Sequence, residues 1–175
     1  MTPWCNGDTI KRGEDMDFYI KQRVFSWRDR FKIYDGKGEE CFYAVGEVFT
    51  WGKQLHIYTM DNVEVAYIQQ KVFSLFPKFY IYRDGAEAVE MVQRFAWFTP
   101  LYQLAPLGWT VTGDFWRYRY TVTDDCMMKV AEVSRDFTNW GGDAYHIHIE
   151  DEIDAATVLA AVLVIDACVA QANNS

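Results

Sequence analysis

The sequence lacks the short motifs that identify common enzyme classes. It contains no G-x-S-x-G elbow, P-loop, G-x-G-x-x-G fingerprint, H-E-x-x-H zinc motif or EF-hand loop. Each of these motifs places a nucleophile, a phosphate or a metal ion by a known geometry. Their absence therefore argues against the enzymes and calcium sensors that depend on them. The sequence favours a non-enzymatic protein and implies no cofactor.

A C-x-x-C pair, an excess of positive charge and an apolar segment near residue 1, from which a signal peptide would be expected, are lacking too. The four cysteines, at positions 5, 41, 126 and 168, form no C-x-x-C pair. This predicts free thiols in the reducing cytoplasm, with one disulfide as the alternative. The net charge of −8 opposes nonspecific binding to nucleic acid. Residues 1–15 are polar, so we expect a flexible leader before a single domain over residues 16–172.

A long hydrophobic run lies near the C-terminus. Between Asp154 and Asp166, only Thr157 is polar. A helix that is apolar all round must be buried on every side or lie in a membrane. A membrane span needs about 20 residues, usually with basic or aromatic flanks, whereas this run is shorter and has no Lys or Arg at either end. The pattern predicts a buried helix over Asp154–Ala170 and no transmembrane segment.

The chain before this helix is built from a repeated β-hairpin unit. The segment Val24–Trp27 recurs as Val48–Trp51 and as Val72–Leu75, at a constant spacing of 24 residues. Each copy precedes an alternating strand and a turn, as in Phe31–Tyr34 followed by Asp35-Gly36. Three weaker copies follow, and six hairpins make about twelve strands.

About twelve antiparallel strands can close into a barrel, which removes exposed strand edges. Such a barrel is too wide for the side chains of its strands to fill, and the apolar helix supplies the missing volume. We therefore predict a mainly β fold, a closed antiparallel β-barrel of about twelve strands around a central, buried C-terminal α-helix.

These segments resemble the LURP-one-related family. The resemblance rests on Tyr19–Trp27, Phe31–Asp35, Val45–Phe49, Ala66–Pro77, Gly108-Trp109, Val111–Phe115 and Ala161–Ala167. It implies the tubby C-terminal-like fold, a twelve-stranded barrel around a C-terminal helix, and no assigned activity. Tubby proteins bind phosphoinositides, and phospholipid scramblases resemble this barrel. This chain lacks the cysteine-rich stretch and the longer membrane-inserting end of scramblases, which argues against lipid scrambling.

Basic residues form the first candidate ligand site. Lys21 and Arg23 alternate along one predicted strand and so share a face, and Lys71 occupies the repeat position of Arg23. A basic surface of this kind suits an anionic phospholipid or phosphoinositide headgroup. The alternative is an ordinary charged barrel exterior.

His146 and His148 form a weaker candidate, for a metal ion. A period of two places both imidazoles and Glu150 on one face of a strand. Two histidines at i and i+2 can share a metal ion. A polar strand face turned to water explains the same pattern, and on balance we predict no metal site.

Three carboxylates also need an explanation. Asp166 interrupts the apolar helix, and a buried carboxylate requires a cation, hydrogen bonds or protonation. We therefore predict that Asp166 is buried with at least one polar partner that sets the helix register. Glu47 and Asp114 each follow a glycine at equivalent repeat positions, which favours bends between strands over an acid–base pair.

Together these patterns favour a non-enzymatic binding or scaffold module in the cytoplasm. Its barrel surface would contact a protein partner or an anionic phospholipid headgroup, with membrane association only at the periphery. No nucleic acid partner is expected. The alternative is a hydrolase-type enzyme with a site at the barrel rim, which a pocket lined by converging titratable groups would favour.

Overall fold

The computed structural model describes residues 16–21, 30–47, 52–84, 86, 88–97, 99–136, 144–151 and 153–173. The predicted leader over residues 1–15 lies outside this part of the chain. The strands are β1 Met16–Lys21, β2 Arg30–Asp35, β3 Glu40–Gly46, β4 Gln54–Thr59, β5 Glu64–Gln70, β6 Lys78–Tyr82, β7 Val89–Ala96, β8 Thr99–Ala105, β9 Trp109–Asp114, β10 Arg119–Thr123, β11 Lys129–Asp136 and β12 Ala144–Ile149. A single 3₁₀ turn spans Phe115–Arg117, and the helix α1 spans Ala155–Asn173.

The twelve strands form one closed antiparallel barrel in chain order. Each strand pairs with its neighbours along the chain, and β1 pairs with β12, from Met16 opposite Ile149 to Lys21 opposite Ala144. Closure leaves no strand edge open for pairing with another chain. The predicted fold class is confirmed.

The repeat seen in the sequence is a repeat of core positions. Equivalent residues of β2, β4 and β6 are buried in the barrel interior: Phe31, Leu55 and Phe79 at the first repeat position, and Ile33, Ile57 and Ile81 two residues later. The shared Val-Phe-Ser/Thr segment behaves differently, because its third copy, Val72–Leu75, is exposed in the connection after β5. The copies at Val24–Trp27 and Val48–Trp51 lie outside the described residues.

The helix α1 fills the barrel. Every residue from Ala155 to Ala167 is buried, as expected for a helix that is apolar on all sides. By length and composition α1 could cross a membrane, but 78 % of its most apolar window is buried inside the protein. It continues three residues past the predicted end at Ala170, because no Gly or Pro follows to stop it.

Asp154 begins the helix as its N-cap. Its Oδ2 atom accepts hydrogen bonds from the Thr157 backbone N–H at 3.2 Å and from the Thr157 hydroxyl at 2.5 Å. The guanidinium of Arg83, just after β6, pairs with the same carboxylate. At the other terminus, Lys53 Nζ donates to Gln171 Oε1 at 2.8 Å. Side-chain contacts thus join both termini of α1 to connections between barrel strands.

Chain order sorts the connections between strands into two ends of the barrel. Because all neighbours are antiparallel, connections that leave odd-numbered strands lie at one end, and those that leave even-numbered strands lie at the other. We call the first the aromatic end; its described connecting residues are 47, 52–53, 71–77, 97 and 115–118. We call the second the acidic end; its described connecting residues are 36–39, 60–63, 83–84, 86, 88, 106–108, 124–128, 150–151 and 153–154. The N-terminus of α1 lies at the acidic end and its C-terminus at the aromatic end.

Candidate functional site

Large hydrophobic side chains stand in solvent at the aromatic end. Phe73 and Leu75 in the β5–β6 connection are each 92 % exposed, and Trp97 in the β7–β8 hairpin is 96 % exposed. Phe95 and Trp116, at the same end, are about half exposed. Exposed large hydrophobic side chains that collect at one end of a folded domain are typical of an interaction site.

Two of these aromatic residues are held in an unfavourable backbone conformation. Phe73 has a φ of 62° and Trp97 a φ of 51°. Bulky residues rarely adopt this left-handed region, because the Cβ atom approaches the backbone. These backbone conformations therefore raise the free energy of the folded state at positions where the side chain makes little contact with the core. Strain of this kind is typical of functional loops.

Charge is divided between the two ends of the barrel. The described carboxylates in the connections at the aromatic end are Glu47 and Asp114. The described basic residues in these connections or on the adjoining strand ends are Lys21, Arg30, Lys53, Lys71, Lys78, Arg94, Arg117, Arg119 and Arg135. At the acidic end carboxylates predominate. The described basic residues there are Lys37, Arg83 and Lys129, and the described carboxylates are Asp35, Glu39, Glu40, Asp61, Glu64, Asp84, Asp124, Asp125, Glu150, Asp151 and Asp154. Among the described side chains of this molecule of net charge −8, basic residues therefore outnumber carboxylates at the aromatic end, although Lys78 there is paired with Glu90 of β7 at 3.0 Å.

A cleft of about 300 Å³ opens at the aromatic end, between the β5–β6 connection and the C-terminus of α1. Its lining residues are Gly52, Gln70, Lys71, Val72, Phe73, Ser74, Phe76, Pro77 and Gln171. Among these described lining residues Lys71 is the one titratable side chain, so they supply no acid–base pair. The enzymatic alternative remains a prediction without support from this cleft.

The predicted basic surface is divided around the rim. Lys21 ends β1 and its Nζ atom lies 5.3 Å from the centre of the Tyr34 ring. Lys71 directly follows β5 and is exposed. Both lie at the aromatic end, but β2, β3 and β4 separate their strands. Arg23 lies outside the described residues. The role of these residues in ligand binding remains a prediction.

The two histidines of β12 lie on the outer wall of the barrel, together with a carboxylate that the sequence pattern did not indicate. His146 Nε2 lies 2.6 Å and His148 Nδ1 3.0 Å from the same oxygen, Asp17 Oδ1 on β1. Burial raises the pKa of Asp17, but the hydrogen bonds from His148 and His146 outweigh it and hold the pKa below its usual value. Glu150, expected beside them, contacts Lys129 at 3.0 Å.

Asp166 lies inside the barrel and is 2 % exposed. The Tyr145 hydroxyl donates to its Oδ2 atom at 2.7 Å. Burial raises the pKa of Tyr145, Tyr120 and Tyr118 well above the usual value, and the nearby Asp166 carboxylate raises it further. Three tyrosines therefore surround the carboxylate as neutral side chains. That this contact sets the helix register remains a prediction.

The two carboxylates that follow glycines make separate local contacts. Glu47 Oε1 lies 3.0 Å from His56 Nε2, on the outer wall. Asp114 accepts from the Arg117 backbone N–H at 3.2 Å and caps the 3₁₀ turn. Gly113 has a φ of 146°, and a Cβ there would lie 2.4 Å from the backbone oxygen of Arg119. The local geometry is that of a bend between β9 and β10.

Sequence reasoning missed the exposed aromatic residues and Asp17. The aromatic residues carried a usable signal, because large hydrophobic side chains recur in the short segments between strands where polar turn residues are the rule. Asp17 carried none, because its position opposite His148 depends on the pairing of the first strand with the last.

The sequence pattern of the LURP-one-related family matches residues 16–166. The chain is 30 % identical over 151 residues to YxjI, an uncharacterized protein of Bacillus subtilis strain 168. The aligned region covers 86 % of this chain and 92 % of YxjI. The fold of the present chain is similar to the X-ray structure of an Arabidopsis thaliana protein, with a TM-score of 0.65 and 15 % sequence identity. The similarity covers 89 % of this chain and 91 % of the Arabidopsis chain.

Proposed function

Because the chain belongs to the LURP-one-related family, in which its Bacillus subtilis relative has no stated activity, we propose that it is a non-catalytic module that docks on an anionic phospholipid surface. The aromatic end makes the contact. One observation carries this proposal: exposed aromatic and basic side chains coincide at one end of the barrel, while the carboxylates collect at the other.

The two kinds of side chain have separate roles at a membrane. Phe and Trp favour the boundary between headgroups and acyl chains, where their rings leave water. Phe73, Leu75 and Trp97 are the most exposed of these side chains and would enter this layer. Each Lys or Arg held near an anionic surface contributes about 1 kcal/mol of attraction at moderate salt. The basic rim therefore supplies the preference for anionic lipid, and the aromatic residues supply the hydrophobic contact.

The charge on the far end sets the orientation. Carboxylates at the acidic end are repelled by anionic headgroups, so the barrel stands on the membrane by its aromatic end. In this pose α1 stays buried in the barrel and its C-terminus faces the lipid. Docking therefore needs no membrane-spanning segment and no unfolding of the core.

Vesicle co-sedimentation tests the proposal directly. The full chain is mixed with phosphatidylcholine vesicles, with vesicles that also contain phosphatidylserine, and with vesicles that contain a phosphoinositide, each at low and at physiological salt. We expect binding to both anionic preparations, weaker binding at higher salt because salt screens the charges, and little binding to phosphatidylcholine alone. An absence of binding to every preparation would refute the membrane proposal and leave a protein partner as the next candidate.

A matched pair of double variants locates the contact. Phe73→Ser with Leu75→Ser removes two exposed hydrophobic side chains from the aromatic end, and Met127→Ser with Met128→Ser removes two from the acidic end. We expect the first pair to weaken vesicle binding at least tenfold, since burial of each side chain in lipid contributes on the order of 1.5 kcal/mol to the free energy of binding. The second pair should bind like the wild type. Equal losses in both would contradict docking by the aromatic end.

A second pair of variants tests the basic rim. Lys71→Gln with Arg94→Gln removes two positive charges from the aromatic end, and Lys37→Gln removes one from the acidic end. At about 1 kcal/mol for each charge, the first change should weaken binding to phosphatidylserine vesicles by about fivefold per residue. Lys37→Gln should have no effect. A loss that does not depend on salt would contradict the electrostatic role.

A further inference from the structure

The acidic end carries exposed hydrophobic side chains of its own. Met127 and Met128, in the β10–β11 connection, are 78 % and 65 % exposed, and Met60 and Val63 in the β4–β5 connection are exposed as well. They lie among the carboxylates that predominate at this end. The methionine side chain is flexible and adapts to the shape of a partner surface. The acidic end therefore combines hydrophobic contact area with negative charge, as the aromatic end combines it with positive charge.

The backbone of the β10–β11 connection holds Met127 in an unfavourable conformation. The β2–β3, β4–β5 and β10–β11 connections form the same turn, in which the first residue donates its backbone N–H to the carbonyl of the fifth and accepts from the N–H of the fourth. The fourth residue is left-handed in all three turns, and it is Gly38, Asn62 or Met127. Gly and Asn adopt this conformation readily, whereas methionine does not. An exposed side chain on a strained backbone is typical of a residue that contacts a partner.

We propose that the acidic end of one copy of this chain docks on the aromatic end of a second copy, so that copies associate head to tail. Phe73, Leu75 and Trp97 offer exposed hydrophobic contacts to the exposed methionines, and methionine sulfur makes favourable contacts with aromatic rings. Among the described side chains, basic residues outnumber carboxylates at the aromatic end and carboxylates predominate at the acidic end. Opposite charges on facing surfaces steer the approach of two proteins and fix their orientation.

Charge selects this arrangement over the two symmetric ones. Contact between two aromatic ends would bring basic residues against basic residues, and contact between two acidic ends would bring carboxylates against carboxylates. Like charges that face each other across an interface oppose binding. A head-to-tail contact is heterologous, because it uses a different surface on each copy and leaves one end of each copy open. Association therefore continues beyond a dimer as the chain concentration rises.

Each end of the barrel is wide enough for a specific contact. Twelve strands, about 4.8 Å apart and tilted by about 40°, close into a barrel about 24 Å in diameter. Outward side chains add about 5 Å on each side, which gives each end an area of about 900 Å². A specific interface of standard size buries about 800 Å² on each partner. The β4–β5 and β10–β11 connections lie on opposite sides of the acidic end, so the whole end makes the contact.

The same aromatic end contacts lipid in the proposed function, so a membrane and a second copy exclude each other. Self-association covers Phe73, Leu75 and Trp97 while the chain is in water, and anionic vesicles separate the copies by competing for that end. The inference needs only the two surfaces and does not rest on lipid binding. Vesicle assays at chain concentrations below the onset of self-association measure lipid binding alone, so either proposal can fail without the other.

Sedimentation velocity of the full chain tests the inference over a range of chain concentrations, at low and at physiological salt. We expect the average sedimentation coefficient to rise with concentration, and to rise less at higher salt because salt screens the facing charges. Two double variants each disable one end: Phe73→Ser with Leu75→Ser, and Met127→Ser with Met128→Ser. Each should stay monomeric by itself. Their equimolar mixture should form a dimer with one copy of each and nothing larger, because each variant keeps the surface that the other has lost.

Charge-reversed variants provide a second test. Lys71→Glu with Arg94→Glu at the aromatic end, and Asp61→Lys with Asp125→Lys at the acidic end, should each weaken association at least about tenfold. Their mixture should restore association, because the two reversed ends are again opposite in charge. Lys32→Gln, exposed on the outer wall of β2, should associate like the wild type. A wild-type chain that stays monomeric at every concentration, a methionine double variant that still associates by itself, or a loss of association in Lys32→Gln would overturn the proposal.

Discussion

Asp166 illustrates how far residue type alone determines a contact. A carboxylate inside an apolar helix needs a polar partner wherever the helix is buried, and the structure places Asp166 2 % exposed beside Tyr145. The sequence did not indicate which residue would be that partner. Tyr145 occupies an inward position of β12, and the approach of its hydroxyl to the carboxylate depends on how α1 sits in the barrel.

Tyr145→Phe tests this contact. The change removes one donor to a buried carboxylate and keeps the ring, so we expect a loss of about 1–3 kcal/mol in the free energy of unfolding. Urea denaturation measures it. Tyr67→Phe is the matched control, because Tyr67 lies on the outer wall, stacked between His56 and Tyr82. A stability change of less than about 0.5 kcal/mol for Tyr145→Phe would show that the hydrogen bond contributes little.

The histidines of β12 show which contacts the periodicity of a single strand does not predict. Strand periodicity correctly placed His146 and His148 on one face, because side chains alternate along any strand. It also pointed to Glu150, whereas the structure places Asp17 beside them. Periodicity describes one strand, and the neighbour across a strand pair follows from the closure of the barrel.

At the scale of elements, α1 is the best predicted part of the molecule. Its apolar composition requires burial on all sides, and the structure places it inside the barrel. Its boundaries differ slightly from the prediction, beginning after Asp154 and ending at Asn173. The start follows from capping by Asp154. The end extends because exposed Gln171, Ala172 and Asn173 meet no stop signal.

Ala160→Leu tests whether the barrel interior is full. Ala160 is 0 % exposed, so added methyl groups must displace barrel side chains even though leucine is the more hydrophobic residue. We expect a loss of about 1–3 kcal/mol in the free energy of unfolding. Ala172→Leu, on the exposed last turn of the same helix, should be nearly neutral. A stabilising effect of Ala160→Leu would reveal empty volume beside the helix.

The hairpin repeat was informative in its strands and ambiguous in its connections. Alternation in Phe31–Tyr34 and its later copies predicted inward positions that are buried. The recurring Val-Phe-Ser segments looked equally hydrophobic, yet Phe73 in the third copy is 92 % exposed. Hydrophobicity alone does not separate a residue that packs in the core from one that a connection holds in solvent.

At the scale of the whole molecule, docking by the aromatic end predicts which tryptophan reports lipid binding. Trp97, 96 % exposed at that end, should enter the lipid interface and shift its fluorescence to shorter wavelength when anionic vesicles are added. Trp97→Phe should remove most of this shift. Trp109→Phe is the control, because Trp109 begins β9 at the acidic end. A shift that survives Trp97→Phe and disappears in Trp109→Phe would place the acidic end on the membrane.

The sequence by itself determined the class of fold and its core. An apolar helix needs a complete shell, and a run of alternating strands can supply one only by closing on itself, so composition and periodicity suffice for this conclusion. Only the tertiary structure decided which residues meet. The pairing of β1 with β12 brings Asp17 to His148, and antiparallel order collects Phe73 and Trp97 at one end. These contacts join residues far apart in the chain, and local patterns do not encode them.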